Sequence, residues 1–138
     1  QIYNGEKISG VTLHKIDNGI DTGPVIDKLK FKITKNSNAY DNYLNLMTNS
    51  VKLLKKNLKN IIIGSYKSKK QLLEKGSYYS RLSINYQKMK FFNLKKINSK
   101  DFNKIKAFIF PPLQLPIVNN KKLKSIIYIN KKYKCIYD

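Results

Sequence analysis

The chain has 138 residues, 41% of them hydrophobic, and a formal net charge of +20. That length suits one modest domain or a large piece of one, and the apolar content excludes wholesale disorder. No run approaches the length of a membrane span, and the single cysteine, Cys135, excludes an internal disulfide and fits a reducing, cytoplasmic setting.

The charge invites a nucleic-acid partner, because lysine-rich surfaces release counterions from phosphate backbones. Two observations argue against it. The basic residues are 27 Lys and one Arg, Arg81, whereas base and phosphate readers use the planar Arg fork. Asn and Ile are abundant beside Lys, as AT-rich coding would produce whatever the function. The charge is also uneven. Residues 1–27 hold two Lys against Glu6, Asp17, Asp21 and Asp27, while residues 28–138 hold 26 basic groups against four acidic ones. The acidic residues therefore gather near the N-terminal end, within a basic body that favours an anionic partner.

In chain order, residues 8–16 alternate Val11 and Leu13 with Thr12 and His14, which predicts a half-buried strand. Asp17-Asn18-Gly19 and Ile20-Asp21-Thr22-Gly23-Pro24 then form a loop of turn residues. From Val25, apolar Leu29, Phe31 and Ile33 alternate with Lys28, Lys30 and Lys32, a second strand with one wet face. Ser37 is placed to cap a long helix carrying Tyr40, Tyr43, Leu44, Met47, Val51, Leu54 and Leu58 at helical spacing. Lysines crowd its end, and Gly64 follows. Residues 65–98 have no firm pattern. Ser99 is placed to cap a short helix with Phe102, Ile105, Phe108 and Ile109, which Pro111-Pro112 must end. After Pro116, Asn119-Asn120-Lys121 and Asn130-Lys131-Lys132 divide the remainder into an antiparallel meander.

One histidine and one cysteine exclude a multi-ligand His/Cys metal site, so no metal is expected. No glycine-rich phosphate loop or nucleophile elbow is present. Ile20-Asp21-Thr22-Gly23 matches the hydrophobic-Asp-Thr-Gly of aspartic proteases, but the second copy that chemistry requires is absent. On the residues alone, His14 reads as a strand residue satisfied by a neighbour, and Asp21 as a turn cap.

Residues 9–26, SGVTLHKIDNGIDTGPVI, resemble the Gly-Val-Thr-Leu-His…Asp-x-Gly-x-Asp-x-Gly-x-Ile-Ile stretch of the folate-dependent formyltransferases. That family includes methionyl-tRNA, glycinamide ribonucleotide and sugar N-formyltransferases. Residues 105–112, IKAFIFPP, resemble its Ile-Arg-Ala-Phe-x-x-Pro segment, and Gln114-Leu115-Pro116 with Asn119-Asn120-Lys121 continue it. The Gln-Leu-Pro extension is most similar to bacterial nucleotide-linked amino-sugar N-formyltransferases, and Ser77-Tyr78-Tyr79-Ser80 with Ile84-Asn85 fits their middle segment. Lys106 stands where the family usually has Arg, and Leu113 where an aromatic is common.

The resemblance implies an α/β fold: the C-terminal half of a Rossmann-like formyltransferase domain over residues 1–112, then a small β meander over residues 113–138. It implies 10-formyltetrahydrofolate as cofactor and a nucleotide-linked amino sugar as acceptor, with no membrane or nucleic-acid partner. The meander is a candidate homodimer surface. The family's catalytic trio is an Asn, a His and an Asp. Asp21 matches the Asp, as a supporting carboxylate that cannot catalyse the reaction alone. Asp17, Asn18, Gly19, Ile20 and Asp21 match the loop lining the pterin pocket, largely through backbone groups. His14 matches a position outside the trio. The Asn-x-His motif carrying the other two would lie upstream of Gln1, so the chain reads as a fragment that is inactive by itself. The alternatives are a fragment of methionyl-tRNA formyltransferase, a basic RNA- or nucleotide-binding remnant without catalysis, or a remnant with no stable fold.

Overall fold

The computed structural model describes residues 1–72, 74 and 85–138. The Ser77-Tyr78-Tyr79-Ser80 match, Arg81 and Ile84 lie outside the described residues. The architecture is mixed α/β, as expected. Strands β1 (Ile8–His14) and β2 (Val25–Lys32) form a two-stranded sheet. Helix α1 (Ala39–Ile62) follows, then the short helix α2 (Tyr86–Met89), strand β3 (Phe91–Phe92) and helix α3 (Ser99–Ala107). Strands β4 (Ile117–Val118), β5 (Lys121–Ile129) and β6 (Lys132–Tyr137) close the chain. Among the described residues no helix is long and apolar enough to cross a membrane.

The chain divides into two compact units. The first comprises Gln1–Ile8, Lys32–Leu44 and Ser80–Asp138. Its sheet runs β3-β4-β5-β6, with β3 parallel to β4 and the rest antiparallel. Two-residue loops make the β4–β5 and β5–β6 reversals. Asn119, Asn120, Asn130 and Lys131 all have positive φ, which type I′ hairpin turns require and Asn tolerates best. The meander is therefore as the sequence suggests, extended by the parallel β3 strand that residues 65–98 did not reveal. Helix α3 lays Phe102 and Ile105, and Ile109 beyond its end, on Val118, Leu123 and Ile126. Complete burial of such side chains contributes roughly 1.5–3 kcal/mol each.

Both helix caps fall one residue from the expected positions. Asn98 caps α3, its side chain accepting from the Asp101 amide while Asp101 accepts from the Asn98 amide. Asn38 and Asp41 make the same reciprocal pair at the start of α1, at 3.0 Å each way. Asn competes equally well with Ser as a cap, and the acid three residues on completes the box. Ser37 instead shares a 2.6 Å hydroxyl contact with Thr34.

The second unit comprises Ser9–Phe31 and Asn45–Tyr79. Here the expected core of α1 is not sealed. Leu53 is buried, but Met47, Val51, Leu54 and Leu58 stand between 44% and 51% exposed. The periodicity is that of an amphipathic helix, and its apolar face is left half uncovered. Asp27 of β2 accepts from Lys56 at 2.8 Å and Asn57 at 3.0 Å, joining strand to helix. The Lys56 bond, then that of Asn57, lowers the Asp27 carboxyl to about 2.

Candidate active site

The 17–23 loop joins β1 to β2. At its base the Lys15 amide donates to the Pro24 carbonyl at 3.0 Å. Asp17 folds inward, one carboxylate oxygen accepting from the Gly19 amide at 3.1 Å and the Thr22 hydroxyl at 2.6 Å. This turn exists because a short carboxylate can reach the backbone two residues on. The Thr22 bond, with that of Gly19, holds the Asp17 carboxyl below its usual value. Gly23 is buried against the chain at Lys15, where a Cβ would meet the Lys15 carbonyl, so only glycine closes the loop this tightly.

Asp21 has φ +55°, the left-handed region that Asp and Asn visit more readily than other residues. Its side chain is 88% exposed. His14, at the end of β1, brings Nε2 to 3.6 Å from Oδ1 of Asp21. Its Nδ1 lies 2.8 Å from the Lys15 carbonyl. A carbonyl only accepts, so Nδ1 carries the proton and Nε2 is the atom turned to the carboxylate.

The expected site residues thus sit together on one loop with distinct tasks. Asp17 and Gly19 hold its shape. Asn18 and Ile20 are exposed on its rim, and Asp21 presents an unburied carboxylate. Two further participants lie outside the expected set, and of these only His14 is singled out by the sequence, as a strand residue satisfied by a neighbour. His14 reaches Asp21, although the resemblance gives it no catalytic part. Gln71 donates from one amide nitrogen to the Asp21 carbonyl at 2.8 Å and the Gly23 carbonyl at 2.7 Å. Val25 and Lys69 exchange backbone bonds of 2.8 Å each way, which aligns Gln71 with the loop. No periodicity announces such a partner; only the tertiary approach does. Among the described residues no group of three or more His, Cys, Asp or Glu is placed to hold a metal ion.

Chemically, the loop offers one exposed carboxylate beside an imidazole, a pair suited to orienting a proton-bearing group and stabilising positive charge on it. It offers no electrophilic centre of its own for the oxyanion of an acyl transfer.

No protein-family profile matches the chain. A methionyl-tRNA formyltransferase of Clostridium tetani is 35% identical over 103 residues, covering 75% of this chain and 33% of that protein. Among solved structures, the sugar 3N-formyl transferase WlaRD, with dTDP and 5-N-formyl-THF, is 46% identical with a TM-score of 0.82. The match covers 94% of this chain and 46% of WlaRD. The N-formyltransferase of Helicobacter canadensis, complexed with folinic acid and dTDP-3-aminofucose, is 43% identical with a TM-score of 0.82, over 94% of this chain and 47% of that one. A 4-N formyltransferase of Francisella tularensis, at 24% identity and a TM-score of 0.67, agrees in fold over 99% of this chain and 52% of its own. The chain spans less than half the length of WlaRD, the Helicobacter enzyme and the Clostridium tetani protein.

Proposed function

Because the chain belongs to the formyltransferase family, we propose that it forms the C-terminal part of an amino-sugar N-formyltransferase. In this reading the formyl donor is 10-formyltetrahydrofolate and the acceptor is the amine of a nucleotide-linked sugar, for cytoplasmic polysaccharide synthesis. The observation that carries it is the 17–23 loop: Asp21, left-handed and exposed, stands beside His14 at the position where the family resemblance puts a catalytic carboxylate. The high identity to two enzymes whose structures hold a folate and a dTDP compound supports the cofactor and acceptor classes.

The folate would supply the activated formyl carbon. Asp21 orients and charges an imidazole that donates to the developing oxyanion. Both that imidazole and an amide donor come from an Asn-x-His segment, which no residue here provides. Asp17, Asn18, Gly19 and Ile20 line the pterin side of the same loop. The active site is then composite, and this chain alone is inactive. The half-exposed face of α1 supports that view, since Met47, Val51, Leu54 and Leu58 would pack against the remainder of the domain.

The test is reconstitution. The chain is mixed with the N-terminal half of the Helicobacter canadensis enzyme, 10-formyltetrahydrofolate and dTDP-3-aminofucose, and N-formyl product is measured. Product from the pair, none from either part, and loss on Asp21→Asn is the expected result. A pair that associates yet makes no product overturns the reading. A second acceptor is favoured by one observation, the 35% identity to the Clostridium tetani methionyl-tRNA formyltransferase. Product with methionyl-tRNA and none with the sugar nucleotide would establish that alternative.

A further inference from the structure

The Asp21 carboxylate is held by little at its own oxygens. Its approach to His14, at 3.6 Å, is longer than a hydrogen bond, and among the described residues no other side chain pairs with it. The direction of the carboxylate is therefore set from the backbone, by the φ and ψ of Asp21 itself. Its φ of +55° is one that a residue with a Cβ keeps only where neighbouring structure over-determines it.

The loop's internal bonds do not supply that constraint. Asp17 binds the Gly19 amide and the Thr22 hydroxyl, and Lys15 closes the base on Pro24. None of these bonds involves the peptide plane after Asp21 or the one after Gly23. Gln71 takes both. Its Nε2 donates to the Asp21 carbonyl at 2.8 Å and to the Gly23 carbonyl at 2.7 Å, which commits both hydrogens of the carboxamide nitrogen. The Asp21 carbonyl lies in the plane that defines ψ of Asp21, so this bond acts on the same residue as the left-handed φ. Two carbonyl oxygens, each partly negative, are thus gathered on one donor atom. A neutral carboxamide suits the position, whereas a carboxylate of the same shape would set oxygen against both carbonyls.

The clamp is itself anchored. Val25 and Lys69 exchange backbone bonds of 2.8 Å, fastening the segment two residues before Gln71 to the first residue of β2. Loop, strand and clamp all belong to the second unit.

We propose that Gln71 is a positioning residue for Asp21, aiming the carboxylate through the peptide planes that follow Asp21 and Gly23 without touching it. The consequence for catalysis rests on the formyl-transfer reading. The consequence for the conformation of Asp21 does not.

Two variants test it. Gln71→Glu keeps the shape and removes the donors, while Gln71→Ala removes the side chain and lets water reach the carbonyls. NMR couplings and shifts of the full chain report φ of Asp21, and steady-state kinetics of the reconstituted pair report its use. Asp21 should leave the left-handed region in part in Gln71→Ala and further in Gln71→Glu, with the signals of β1, β2 and α1 unmoved. The value of kcat should fall in the same order, several-fold for Ala and about ten- to a hundredfold for Glu, the scale of a misplacement of roughly 1 Å. KM for the folate should change by less than about threefold, because the Asp17 bonds that shape the pterin side remain. A residue that merely fills space gives the reverse order, Gln71→Glu near the parent and Gln71→Ala the poorer, and that result overturns the proposal. An unchanged φ of Asp21 in both variants, or a loss confined to the folate KM, overturns it too. Should Gln71→Glu misfold, the two readouts on Gln71→Ala decide alone. No product from the unsubstituted pair sinks the formyl-transfer reading instead, and the NMR comparison still decides whether Gln71 sets Asp21.

Discussion

Nε2 of His14 faces Oδ1 of Asp21 across 3.6 Å, with the opposite ring nitrogen held by the Lys15 carbonyl. The strand end and the loop tip thus meet at a ring whose orientation the backbone fixes. In the reconstituted enzyme, Asp21→Asn should reduce kcat by about two orders of magnitude or more, the scale of general acid–base and oxyanion contributions. His14→Gln should reduce it less, since the amide still reaches the carboxylate. Because Asp21 is 88% exposed, its replacement should leave the melting temperature of the chain nearly unchanged. Steady-state formyl-transfer kinetics with parallel thermal melts check both statements.

Acid should weaken the fold through its depressed carboxyls. Asp27 titrates at about 2 in the folded chain against 3.8 ordinarily, and Asp17 and Asp138 are lowered as well. A group lowered by folding adds stability above its unfolded value, and that contribution fades as pH falls through the folded one. Melting temperature should therefore fall between pH 4 and pH 2, and Asp27→Asn should lessen that fall while lowering stability at neutral pH. Circular dichroism melts across this range decide it.

Lys106 has the opposite sign. Folding lowers it from 10.5 to about 8, so the unfolded chain holds more protons between these values and stability rises with pH there. Lys106→Met should raise the melting temperature at pH 7 and remove the rise toward pH 10. Melts of both proteins at the two pH values are sufficient.

Gly23→Ala should destabilise the second unit, because a Cβ meets the backbone carbonyl of Lys15, which no rotamer change relieves. Overpacking of this kind costs about 1–3 kcal/mol. Urea unfolding measures the change, and a loss below half a kcal/mol would mean that the loop yields easily.

The uncovered face of α1 should bind an environment-sensitive apolar dye. Val51→Gln with Leu54→Gln should cut that fluorescence and abolish association with the complementary half, while Leu53→Ala should unfold the unit instead, at about 2–5 kcal/mol.

What the sequence reveals of this molecule follows the range of its interactions. β1, β2, α1, α3 and the two Asn-led reversals are visible because period, cap and turn chemistry are local. The caps slip by one residue because Ser37-Asn38 and Asn98-Ser99 each offer two competent side chains. β3 escapes notice because Phe91-Phe92 owes its strand to pairing with Ile117 and Val118, far along the chain. The half-covered face of α1 carries the same periodicity as a sealed one, so no pattern distinguishes them. The 17–23 loop is recognisable from its composed string of turn residues, yet Gln71, which grips it, has no local signature at all.

That grip has a consequence for the order of events during synthesis. The Asp21 carbonyl and the Gln71 amide are 50 residues apart in the chain. The hairpin of β1 and β2 needs only neighbouring residues and can close within microseconds of emerging. Its loop can take shape with it through the bonds of Asp17 and the Lys15–Pro24 pair, but the Gln71 contact must wait until α1 has formed and the following segment has doubled back, since distant pairings carry the larger entropy of closure. The backbone of Asp21 and Gly23, which carries the carboxylate on which the chemistry would depend, is therefore clamped only late.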